Sequence, residues 1–79
     1  RFADFKMITV ASTRAEGFPE ADLSRYGEVQ EKTANRIQLK VKRERVISVC
    51  KALLDELPVD DIDIQEVPIE EIIRKLFAR

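Results

Sequence analysis

The sequence predicts an α+β fold: a ferredoxin-like split βαβ sandwich with an extra C-terminal helix. Three observations carry this. In residues 36–42, Ile37, Leu39 and Val41 alternate with Gln38, Lys40 and Lys42, the period of a half-buried strand. In residues 44–57, Val46, Val49, Cys50, Leu53 and Leu57 recur at helical spacing. Near the end, Ile62 and Ile64 alternate with Asp61, Asp63 and Gln65, and Pro68 stops the run.

Taken in order, residues 5–12 are rich in β-formers and lack Gly and Pro, which predicts a central strand. Residues 13–18 read as a loop. Residues 19–26 read as a short helix, with Pro19 at its first position and Gly27 as a left-handed stop. Residues 28–32 form a weak, polar strand, and Thr33-Ala34-Asn35 a hairpin turn. The strand over 36–42 follows, then the helix over 44–57, ended by Pro58. A strand around Ile62 and Ile64 leads to Pro68. Ile69, Ile72, Ile73, Leu76 and Phe77 then make one apolar stripe on a terminal helix. Glu70 and Glu71 occupy its first turn and Arg74, Lys75 and Arg79 its last, an order that complements the helix dipole. Such a short helix is unstable alone, so it is expected to pack on its own domain or on a second copy.

The order β-α-β-β-α-β places the first and third strands in the middle of the sheet and the charged second and fourth at its edges. Leu39 is expected to face the long helix, and Lys40 to point away into solvent.

The chain has 79 residues, enough for one small domain with a marginal core. Apolar residues at 44% and charged residues at 37% describe a globular, soluble chain. A net charge of −1 gives no global attraction to nucleic acid or anionic lipid. The single cysteine, Cys50, has no internal partner, which fits a reducing cytoplasm. No apolar run reaches membrane-spanning length and no leader is visible.

Charge is segregated. Between Lys32 and Lys51 the only acid is Glu44, whereas residues 55–71 hold eight acids and no base. This makes Lys40, Lys42, Asp61 and Asp63 candidate partner contacts; solvated faces balancing across the sheet are the plainer reading. Asp60-Asp61-x-Asp63 lacks the glycine and distant glutamate of a calcium loop and reads as a charged strand edge. Cys50 has no histidine to activate it and shares a helix face with Val46, Leu53 and Leu57, so it reads as structural. Residues 36–42 carry no stacking aromatic, which argues against an RNA-binding sheet. The readings are therefore no catalytic, cofactor or metal residue in this chain, and no nucleic-acid partner.

The run Leu57-Pro58-Val59, the acidic strand, and Pro68-Ile69-Glu70-Glu71-Ile72 carry a resemblance. So do Arg1-Phe2-Ala3-Asp4-Phe5-Lys6 and Arg25-Tyr26-Gly27-Glu28-Val29. Together they resemble the extreme C-terminus of ATP-binding subunits of ABC-type exporters, in the ABC-2 group with daunorubicin- and viologen-exporter-like members. The resemblance implies an accessory domain, residues 1–79, that follows an ATPase core. It implies that the parent uses ATP and Mg, drives export through a membrane permease, and lies on the cytoplasmic face. This chain lacks the phosphate-binding loop, the Leu-Ser-Gly-Gly signature and any histidine, so no ATPase activity is expected of it. Its implied partners are the ATPase core, a second ATP-binding subunit, and indirectly the permease; a homodimer is also open. The competing class is a small-molecule-sensing module on the same scaffold.

Overall fold

The computed structural model describes residues 4–67 together with Ile73 and Arg74. Four strands, β1 (Phe5–Ala11), β2 (Glu28–Lys32), β3 (Arg36–Lys42) and β4 (Asp61–Glu66), form one sheet in the order β2-β3-β1-β4. Every neighbouring pair is antiparallel. A 3₁₀ turn (Arg43–Arg45) leads directly into the helix α1 (Val46–Glu56). The domain is thus α+β, with the first and third strands central and the charged strands at the edges, as expected. The β2–β3 pairing shifts register between Val29 and Glu31, which lets an all-exposed strand twist away from the core.

The core lies on one face of the sheet. Ile8 and Val10 of β1 and Ile37, Leu39 and Val41 of β3 are buried against Val46, Val49 and Leu53 of α1. Leu57 closes the helix end, where its N–H reaches the Leu53 carbonyl at 3.0 Å. Pro58 then prevents continuation, as the sequence predicts.

The first connection differs from the expectation. Residues 19–23 are irregular and residues 24–26 form a turn, so no helix stands here. The segment offers only Leu23 and Tyr26 to a core, one turn's worth of apolar contact, too little to hold a helix. Asp22 instead folds its own turn: its carboxylate accepts the Ser24 N–H at 3.1 Å and hydroxyl at 2.7 Å. Phe18, Leu23 and Tyr26 nonetheless enter the core and cover the sheet from this loop.

Both glycines are fixed by close approach. Gly17 has φ +70, and a Cβ there would lie 2.1 Å from the Ala34 carbonyl oxygen. Gly27 is not left-handed, contrary to the helix-stop reading. Its Cβ would lie 2.8 Å from both the Lys40 carbonyl oxygen and a Val41 methyl. The loop is also pinned to the β2–β3 hairpin. The Phe18 N–H reaches the Ala34 carbonyl at 2.7 Å, and the Asn35 amide donates to the carbonyls of Ser12 and Arg14 at 2.9 and 2.8 Å.

Lys40 does face away from α1, on the side with Met7, its partner across β1. It is not in solvent, however: only 6% of it is exposed, and its ammonium lies 5.1 Å from the centre of the Phe5 ring. The terminal helix expected beyond Pro68 lies outside the described residues, except that Ile73 and Arg74 are helical and exposed.

Leu39→Ala and Leu53→Ala should each cost ~2–5 kcal/mol, because both side chains are fully buried against each other's layer. Lys40→Ala should cost about 1 kcal/mol, more than an exposed lysine and less than either leucine. Urea denaturation would measure all three; equal losses for Lys40→Ala and Leu39→Ala would contradict this one-sided core.

Candidate functional site

No described cluster of His, Cys, Asp and Glu has the geometry of a metal site. The site is therefore sought among surfaces and polar clusters. Lys40, Lys42, Asp61 and Asp63 all fall on the face opposite α1, by strand alternation and register. Lys40 is buried there and Lys42 is exposed. Asp61 lies opposite Ala11, and Asp63 opposite Thr9, which itself faces Gln38. The four residues therefore share a face, but β1 separates the acids from the lysines. A polar groove of about 360 Å³ runs between Thr9, Arg36, Gln38, Asp61, Asp63 and Gln65. Arg36 pairs with Glu31 at 2.8 Å beside it.

Asp60, the first member of the acidic run, is committed elsewhere. Its carboxylate accepts the Thr13 N–H at 2.7 Å and hydroxyl at 2.9 Å, tying the entry of β4 to the exit of β1. These bonds, the backbone one first, hold its carboxyl below the usual range. Cys50 is half-buried against the core, and burial pushes its thiol up, so it stays protonated at neutral pH.

A cluster that sequence reasoning missed joins the loop to α1. The buried Tyr26 hydroxyl donates to the Glu56 carboxylate, and the Arg25 guanidinium donates to the same carboxylate. Arg25 also donates to the Tyr26 hydroxyl at 2.7 Å, and its guanidinium carbon sits 4.6 Å from the ring centre. Arg45, at the start of α1, donates to the Arg25 carbonyl at 3.2 Å. The cluster borders a small hollow lined by Ser48, Val49 and Ala52. Burial and then the Glu56 bond push the Tyr26 hydroxyl up, so it stays a donor. Glu56 is held below the usual range, chiefly by the Tyr26 hydroxyl. Arg25-Tyr26-Gly27 stands out in the sequence, but nothing local marks Glu56, about thirty residues on, as its partner.

An apolar flank is left open on the core side. Ile47 is 68% exposed and Leu54, two turns later, 54%. Half-buried Cys50 lies between them, at Ile47+3. Ile64 of β4, on the same side of the sheet as α1, is 45% exposed. A hollow lined by Leu54, Val59, Asp60 and Ile62 connects helix and strand. No helix among the described residues is long and apolar enough to cross a membrane.

The carboxylates set a pH dependence. Glu56, Asp60 and Glu66 all have depressed values, Glu66 through the Lys6 ammonium 2.6 Å away. A depressed carboxylate stabilises the fold above its unfolded pKa and loses that contribution as pH falls through its folded value. The melting temperature should therefore hold above about pH 5 and drop between about pH 5 and pH 3. In Glu56→Gln that acid limb should be shallower. An unchanged limb in a calorimetric pH series would remove Glu56 from the account.

No curated protein and no solved structure matches this chain. A family described as EvrA-like ABC transporter, C-terminal domain, matches residues 4–65, which span β1 through Gln65 of β4 and every element of the core. The chain therefore belongs to the EvrA-like ABC transporter C-terminal domain family.

Proposed function

We propose that this chain is the accessory domain of an ATP-binding subunit in an exporter of the ABC-2, daunorubicin- and viologen-exporter-like group. It works in the cytoplasm, on a parent bound peripherally to the membrane, and it acts by contact and not by catalysis. The observation that carries the contact reading is the open apolar flank of Ile47, Leu54 and Ile64, beside the otherwise filled core of a very small domain. Its occupant in this reading is the parent's own ATPase core, with a second ATP-binding subunit as the next contact along. ATP and Mg belong to that core. The strand order supports reading the domain as ferredoxin-like, with a loop standing where the first helix would be.

The second reading, a small-molecule sensor, has its own observation in the polar groove of Thr9, Gln38, Asp61 and Asp63. The two readings use opposite faces, so substitution separates them. Ile47→Asp with Leu54→Asp should leave the melting of the chain nearly unchanged, since both side chains are exposed. It should weaken docking to the separately prepared ATPase core by about tenfold or more. Unchanged affinity would move the contact off this flank. Thr9→Val with Asp63→Asn should leave that docking unaffected.

The chain alone should give a flat titration with Mg-ATP in calorimetry, because neither glycine is followed by the Lys-Ser/Thr of a phosphate loop. Micromolar affinity would sink the accessory-domain reading.

A further inference from the structure

The two edges of the sheet are built differently. On β2 the register against β3 shifts between Val29 and Glu31, and Lys32 closes the strand. A bulge and a lysine blunt an edge against further pairing. β4 carries neither. Its six residues pair with β1 without a break, from Lys6–Glu66 to Ala11–Asp61, and no described strand lies beyond it. Such an edge presents a regular row of outward backbone N–H and C=O groups. The two faces of β4 are also unlike. Asp61 and Asp63 lie on the side of the polar groove, and neither has a hydrogen-bonded or ionic partner among the described residues. Glu66 is committed to Lys6, and Asp60 to Thr13. Ile62 and Ile64 lie on the α1 side, where Leu54, Val59 and Ile62 line a hollow of about 210 Å³.

We propose that β4 accepts an extended segment of a partner protein as a fifth strand, and that this segment alternates Lys or Arg with Val, Ile or Leu. A period of two matches both faces at once. The basic residues lie beside Asp61 and Asp63, whose open carboxylates are of one sign. The apolar residues lie on Ile62 and Ile64 and enter the hollow. A second copy's β4 fits poorly: centred on Asp63 it sets aspartate on aspartate, and centred on Ile62 it sets Asp61 against Asp63. The inference rests on the contact reading above for its apolar half, Leu54 and Ile64, and adds the backbone edge and the chemistry of the incoming segment.

Fluorescence anisotropy with a labelled Lys-Val-Lys-Val-Lys-Val-Lys peptide tests it on the intact chain. That peptide should bind about tenfold tighter than Lys-Lys-Val-Val-Val-Lys-Lys, which has the same composition and charge without the alternation. Asp61→Lys with Asp63→Lys should reverse the preference, toward Glu-Val-Glu-Val-Glu-Val-Glu. Equal affinity for the two lysine peptides, or binding of neither, overturns the proposal. If the double variant does not fold, amide exchange in the unmodified chain decides. The alternating peptide should slow exchange at alternate residues of 61–66. Slowing on β2 instead, or nowhere, overturns it. The contact reading is judged separately, by docking of Ile47→Asp with Leu54→Asp to the ATPase core. If that docking is unaffected while the peptide binds β4, the contact reading fails and the strand site stands. If the docking weakens while the peptide does not bind, the strand site fails and the contact reading stands.

Discussion

The core depends on how one face of a four-stranded sheet is covered, among the described residues, by the eleven-residue helix α1. One helix of that length cannot shield Ile8, Val10, Ile37, Leu39 and Val41 together. The remainder falls to the loop over residues 12–27, which inserts Phe18, Leu23 and Tyr26 beside α1. A loop lacks the internal hydrogen bonds that hold a helix on its face, so its position must be imposed from outside. Two attachments impose it. Asn35 and Ala34 hold its first half to the hairpin through backbone groups, with Gly17 shaped to permit the approach. Arg25 and Tyr26 hold its second half to Glu56 at the last residue of α1. The helix thus anchors the loop while both share one core.

That arrangement explains which parts of the sequence announce themselves. The strands were legible because β-branched alternation reports burial directly: Ile37, Leu39 and Val41 are buried and their neighbours are less so. The long helix was legible for the same reason at period 3.6. The loop was not, because Pro19 and Gly27 punctuate it as they would a helix while its interior lacks the apolar face. Two buried side chains three residues apart satisfy a helical spacing and an irregular turn equally well. The Asp22–Ser24 turn decides between them, and it is a local bond that periodicity does not weigh.

Lys40 marks a second limit. Alternation assigns it to the face opposite α1, correctly, but says nothing of depth. An alternating strand has a polar face in contact with water only when nothing lies above it. Here Met7, the partner of Lys40 on β1, is buried as well, so the face that looked polar in β3 is apolar in β1. The candidate site divided in the same way. Asp61, Asp63 and Lys42 remain on the surface where charge segregation put them, while Lys40 joins a packed layer and Asp60 serves as a strut to Thr13.

The surfaces then sort by what the chain itself leaves open. The second face has buried side chains at one end and a polar groove at the other. The β2 edge is fully exposed but charged and bulged, which discourages strand addition. The α1–β4 flank is different in kind: Ile47, Leu54 and Ile64 project from regular elements whose other sides are fixed in the core. Solvating those side chains gains the isolated domain nothing, and a polar residue at each position would leave its fold intact. Exposed on rigid supports, these three side chains form the surface on which the proposed contact rests, and substitution there tests that contact without disturbing the core.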